Sequence, residues 1–190
     1  IVRAYGNNDT NAIAALRETI SKYNVGGLCF FQGSADIQAK LTNEYQQLSK
    51  YPLLISMDAE FGLGMRLKSD GFSFPKQLTL GAIQNNHLIY DTGLNMASHL
   101  KRMGVHLNFA PVLDINNNPS NPVINERSFG ENKLNVTSKS YLFMQGLQDG
   151  GVMACAKHVP GHGNTDVDAH LDLPIINSSR KELDSIELYP

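Results

Sequence analysis

Five short runs of nearly unbroken apolar residues punctuate the chain, at residues 1–5, 28–31, 53–57, 105–110 and 152–156. Between them apolar positions recur at three- and four-residue spacing, as in helices that bury one face. Ile13, Leu16, Ile20 and Tyr23 form the first such stripe, with Asp9 or Thr10 placed to cap its start. Ile37, Leu41, Tyr45 and Leu48 form the second, preceded by Ser34 as a candidate cap. The spacing predicts a third helix over 86–103, with Ile89, Met96, Ala97 and Leu100 facing inward and Gly104 ending it. A fourth, over 133–148, buries Val136, Phe143 and Leu147. Ser179-Arg180-Lys181-Glu182 has the form of a capping box, so a last helix begins there. Residues 59–77 and 111–131 read as long loops.

Near-continuous apolar strands that alternate with amphipathic helices predict a parallel sheet covered by helices. An open doubly wound sheet and a closed barrel both satisfy that pattern. No Gly-x-Gly-x-x-Gly turn and no phosphate loop follows any of the strands, which argues against a nucleotide-binding sheet. Polar residues instead follow several strands, at Asp58, Asp114 and Lys157-His158, as on the rim where a barrel builds its site. The expectation is an α/β fold: a TIM (β/α)8 barrel truncated to about five β/α units, with residues 1–190 its N-terminal portion.

Composition changes this picture little. A hydrophobic fraction of 42% and a formal charge of -2 suit an ordinary globular domain and give no footing for nucleic acid or an anionic membrane surface. The apolar runs are too short to span a bilayer. Cys29 and Cys155 each lie inside an apolar run and read as buried free thiols rather than a disulfide framework.

The candidate chemistry gathers in residues 157–170. His158, His162 and His170 with Asp166 and Asp168 offer imidazole and carboxylate ligands of the kind zinc or iron takes. Their spacing matches no His-Glu-x-x-His arrangement and the glycines between would hold ligands poorly, so neither a metal nor another cofactor is expected. His162, flanked by glycines, reads as a brace for its own loop. Asp168 stands two residues before His170, close enough to accept its ring N–H and fix its tautomer, which makes the pair a candidate acid/base dyad.

Lys157-His158-Val159-Pro160-Gly161-His162-Gly163, followed by Asp168-x-His170, resembles the signature of family 3 glycoside hydrolases. The Asp-x-His ending resembles the β-N-acetylglucosaminidase branch of that family. Asp58-Ala59-Glu60-Phe61-Gly62 through Arg66, then Phe109-Ala110-Pro111-Val112-Leu113-Asp114, then Asn125-Glu126-Arg127-Ser128-Phe129-Gly130 agree with it in the same order. The resemblance implies a retaining glycosidase that removes terminal β-linked N-acetylglucosamine from an amino-sugar oligosaccharide. It implies that Asp58, Arg66, Arg127, Lys157 and His158 hold the sugar, and that His170, oriented by Asp168, is first the proton donor and then the base.

Retention also needs a carboxylate nucleophile. In the family this aspartate follows a later strand, and Asp172 and Asp184 lie too near the dyad to match it, so the 190-residue chain alone is expected to be inactive. A neutral histidine base admits an anionic acceptor such as phosphate, which keeps a phosphorylase beside the hydrolase. A β-glucosidase of the same family and a non-catalytic carbohydrate-binding barrel are the other readings. Phe61-Gly62 stands where relatives often carry Gly-Gly. Asp-Ala-Glu before an aromatic residue resembles exported bacterial members, which favours a periplasmic or exported location over the cytoplasm. Peptidoglycan-derived and chitin-type substrates both fit, and nothing in the sequence specifies an oligomeric state.

Overall fold

The five apolar runs form one parallel sheet in chain order. In the computed structural model, which describes residues 1–190, the strands are β1 (Val2–Gly6), β2 (Gly27–Gly33), β3 (Leu54–Met57), β4 (Leu107–Asn108) and β5 (Met153–Ala154). They lie side by side in the order β1-β2-β3-β4-β5, and every neighbouring pair is parallel. A doubly wound sheet reverses its strand order at a switch point, whereas a barrel adds each strand beside the last. The unbroken order therefore identifies an arc of a (β/α)8 barrel, with the sheet open between β1 and β5.

The helices are α1 (Thr10–Tyr23), α2 (Ala35–Leu48), α3 (Gln77–Gly81), α4 (His87–Arg102), α5 (Lys133–Asp149) and α6 (Arg180–Ser185). None is long and apolar enough to cross a membrane. Leu28 and Phe30 of β2 and Ile55 and Met57 of β3 are fully buried in one core with Leu41, Tyr45, Met96, Leu100 and Phe143 from the helices. The alternate residues of β2, Cys29 and Phe31, are half-buried on the inner face of the arc. Both cysteines are free and half-buried, less enclosed than their apolar neighbours suggest, because the inner face is not covered.

Several local expectations change. Tyr23 and Leu48, placed on inward stripes, are exposed, since each sits in the last turn of its helix. Asp9 caps α1 by accepting from Asn11 and Ala12 N–H. Ser34 does not cap α2: its hydroxyl donates to Asp36, while the Ala35 N–H donates to Asp70 Oδ2 at 2.7 Å. β4 and β5 are two residues each, shorter than their apolar runs: Val105 and Val152 turn their N–H groups back to the Leu100 and Leu147 carbonyls of the preceding helices, and Ala110, whose carbonyl accepts the Cys155 N–H at 3.0 Å, lies past the paired stretch. The 59–77 stretch holds a 3-10 turn at Leu63–Met65 and leads directly into α3. There the buried Gln77 side chain clasps the Val112 backbone, donating to its carbonyl at 2.8 Å and accepting its N–H at 3.0 Å.

Candidate active site

Residues just past the C-terminal ends of β3, β4 and β5 converge on one rim of the arc, the end at which parallel barrels carry their sites. Asp58 follows Met57, the last residue of β3, and Glu60 is two residues further on. Lys157 lies beyond β5 and is held in register by a parallel bridge to Val112, which brings Asp114 alongside. Arg127 closes a 3-10 turn, Asn125–Arg127, in the long loop after β4.

These side chains form one ion-paired chain. Lys157 Nζ donates to Asp58 Oδ1 and lies against Glu60 Oε1, both at 2.7 Å. Arg66 donates to Asp58 twice, to Oδ2 at 2.7 Å and to the backbone carbonyl at 2.9 Å. Arg127 grips Glu60 in a bidentate pair, at 2.9 and 2.7 Å, and its Nη2 comes within 3.4 Å of His158 Nε2. His158 Nδ1 meets Asp114 Oδ2 at 2.6 Å, and Asp114 Oδ1 accepts the His162 backbone N–H at 2.6 Å.

The charges are matched and enclosed. The Glu60 side chain is 3% exposed and that of Lys157 12%. Burial pushes the Glu60 carboxyl up, but the paired Arg127 and Lys157 outweigh it and hold the group below the usual carboxylate range. The Arg127 guanidinium, although burial works against its charge, is raised by the same pairing. Asp58, Arg127 and His158 keep part of their surface at the mouth. Beside them Phe61, Met65, Lys76 and Gln77 line a hollow of about 140 Å³ that shares Glu60 and Arg127. Fixed carboxylate and guanidinium groups at such a mouth can grip a neutral polyol by charge-assisted hydrogen bonds, with little reorganisation.

Asp58, Arg66, Arg127, Lys157 and His158 are thus brought together. Asp168 and His170 are also brought together, but not with them. Asp168 Oδ1 accepts the His170 backbone N–H at 2.9 Å and faces the ring Nδ1 at 2.7 Å. The backbone N–H and then the imidazole of His170 hold the Asp168 carboxyl below its ordinary range. The His170 side chain is 88% exposed, and its hydrogen bonds run only to Asp168. His158, His162 and His170 do not converge: the first faces Asp114 and Arg127, the second Thr165 and the third Asp168. Sequence reasoning did not single out Glu60, and it placed Asp114 on the rim without giving it a role. The signal for Glu60 was its two-residue spacing from Asp58, which puts both carboxylates on one side of an extended segment. For Asp114 it was the position after a strand, without a visible partner.

The family model for the glycosyl hydrolase family 3 N-terminal domain matches residues 4–190. Beta-hexosaminidase A of Pseudoalteromonas piscicida is 37% identical, over 92% of this chain and 31% of that protein. A beta-hexosaminidase of Thiobacillus denitrificans is 36% identical, over 92% of this chain and 51% of its own length. Among solved structures, a glycoside hydrolase family 3 beta-N-acetylglucosaminidase from Paenibacillus sp. str. FPU-7 superposes with a TM-score of 0.88 at 39% identity, covering 98% of this chain and 37% of that one. The chain therefore spans about half or less of the length of these relatives. With the glycosyl hydrolase family 3 N-terminal domain model matched almost from end to end and the rim residues gathered on an arc of the same barrel, the chain belongs to glycosyl hydrolase family 3.

Proposed function

We propose that residues 1–190 supply the sugar-holding and proton-donating part of a retaining β-N-acetylhexosaminidase, forming the N-terminal units of its barrel. The observation that carries this reading is the ion-paired chain from Arg66 through Asp58, Lys157, Glu60 and Arg127 to His158. A structural network needs no open mouth, yet Asp58 and Arg127 each leave about a quarter of the side chain exposed, 26% in both cases. The names of the hexosaminidase relatives support an amino-sugar substrate.

In this reading Asp58, Arg127, Lys157 and His158 fix the hydroxyl groups of a terminal N-acetylglucosamine, and Arg66 holds Asp58 in place. His170 gives its Nε2 proton to the glycosidic oxygen, while Asp168 holds Nδ1 and steadies the ring. A carboxylate from a later β/α unit forms the bond to the anomeric carbon as the leaving group departs. His170 then takes a proton from water, which displaces the carboxylate. The dyad loop must cross to the rim for this to happen. Little holds it back: Leu171, Leu173 and Ile175 on the loop are all exposed, and segments with few buried contacts open at low cost.

The test is leaving-group dependence in the full-length protein. Replacing His170 with Ala is expected to slow cleavage of poor leaving groups by about 10²–10⁴-fold, with much less effect on acidic phenols. Equal losses on both would remove His170 from the role of proton donor. A second reading, a sugar-binding barrel without chemistry, draws on the separation of the dyad from the ion-paired chain. It predicts sugar binding that Asp58→Ala abolishes, with no turnover in the full-length protein. Phosphate as acceptor is checked by looking for sugar 1-phosphate among the products formed in phosphate buffer. An exported bacterial enzyme is the setting this reading favours.

A further inference from the structure

Behind the Lys157-His158 turn lies a buried polar cluster, tied to the ion-paired chain through the His162 N–H on Asp114 Oδ1. Asn121, 2% exposed, donates from Nδ2 to the carbonyl of His162 at 2.6 Å and of Gly163 at 3.3 Å. Its Oδ1 accepts the N–H groups of Val123 and Ile124 at 2.8 and 2.7 Å. Asn118 donates to the carbonyl of Thr165 at 3.2 Å. The Thr165 hydroxyl has two acceptors within reach, the His162 carbonyl at 3.0 Å and the His162 ring Nδ1 at 2.5 Å. A side chain at Gly163 would meet the Ile115 carbonyl at 1.8 Å, so the two backbones lie in direct contact here. Residues 162–165 are therefore a fixed root, and the dyad loop leaves from it.

One atom of that root is unsatisfied. His162 is 8% exposed, its ring stands edge-on to His158 at 5.9 Å, and its Nε2 is buried with no hydrogen-bond partner. When Thr165 donates to Nδ1, the ring proton sits on Nε2, a donor with no acceptor, and a buried group left in that condition is costly. The dyad carries the complementary vacancy. Asp168 spends Oδ1 on both contacts to His170 and leaves Oδ2 unused. Only two residues separate Asp168 from Thr165, so the dyad carboxylate leaves directly from the root that holds the His162 ring.

We infer that His162 Nε2–H is the docking point for Asp168 Oδ2, and that a chain His162–Asp168–His170 holds the proton donor over the sugar when the loop lies across the rim. His162 is thereby a positioning residue, and Asn121 and Thr165 fix its ring. This rests on the reading of Asp168 and His170 as the acid/base dyad.

The experiment compares kcat/KM of the full-length protein on two aryl β-N-acetylglucosaminides, one with an acidic phenol and one with a poor leaving group. Misplacing a catalytic group by about 1 Å costs on the order of 10²-fold. His162→Phe is expected to lose that much on the poor leaving group and little on the acidic phenol. His162→Gln, which restores an N–H, recovers most of the loss. Equal losses on both substrates, or none, while His170→Ala still discriminates between them, overturn the inference. If His170→Ala itself fails to discriminate, the dyad reading falls first, which is a different result. Should His162→Phe not fold, imidazole ¹H–¹⁵N spectra with saturating N-acetylglucosamine decide. The His162 Nε2 resonance is expected to move on Asp168→Ala, a change at a side chain 32% exposed and outside the core, and an unmoved resonance overturns the inference.

Discussion

Glu60 is one carboxylate shared by two cations, and its energetics follow from its being buried. Leaving Arg127 and Lys157 without it strands charge away from water, so Glu60→Gln is expected to cost about 3–5 kcal/mol at pH 7. The folded pKa of Glu60 lies below its unfolded value of about 4.3. Its stabilisation is thus fully present above that value and lost as pH falls through the folded pKa. Urea unfolding across a pH series is expected to show the gap between wild type and Glu60→Gln closing in that acid window. Glu187 behaves oppositely. Burial pushes its carboxyl up, the nearby Asp114 adds to the rise, and the Asn117 amide opposes it. Between the unfolded and the higher folded pKa the unfolded chain gives up this proton first, so stability falls as pH rises. Glu187→Gln is therefore expected to raise the melting temperature at pH 7 and to leave it unchanged below about pH 4. Neither effect is visible in the order of residues. Glu60 reads as one acidic residue of a loop until Arg127, 67 positions away, closes on it.

At the scale of elements, all five strands and five of the six helices were legible, because a fully buried strand and a one-sided helix each leave a periodic mark and the capping box announced α6. α3 was not: it has five residues, and one of its two buried positions is Gln77, a polar residue whose partner is the Val112 backbone. The Ser34 cap misled because the better acceptor, Asp70, comes from a loop 35 positions on. α4 and α5 meet through glycines in a way that apolar stripes do not announce. A Cβ at Gly146 would fall 2.2 Å from the Tyr90 carbonyl, and one at Gly93 2.3 Å from the Phe143 carbonyl. Alanine is the better helix former by about 1 kcal/mol, yet Gly146→Ala is expected to destabilise by about 1–3 kcal/mol through overpacking. Thermal melts of Gly146→Ala and Gly93→Ala check this; a rise in melting temperature would show that the helices can part without cost.

For the whole molecule, the barrel class could be read from polar residues recurring after successive strands, and the strand order bears it out. The separation of the dyad from the rim could not, since it depends on where a loop with exposed Leu171 and Leu173 comes to rest. An open arc leaves the outer sides of β1 and β5 unpaired, and unpaired strand edges recruit other chains. The 190-residue chain on its own is expected to scatter light as a species heavier than its 20.9 kDa and to show no turnover of an aryl N-acetylglucosaminide. A clean monomer would mean that these edges are shielded in solution. The bond from Lys157 to Asp58 joins positions 99 apart, across a strand that pairs with β4 at Leu107 with Met153 and Asn108 with Ala154 and again, past a gap, through the Val112 bridge to Lys157. So short and interrupted a ladder sets its own alignment weakly, and sliding it by a single position would turn the lysine to the opposite side of the sheet. The charges that await a sugar thus double as a latch for the weakest seam, so a misthreaded copy announces itself by an empty seat between two carboxylates.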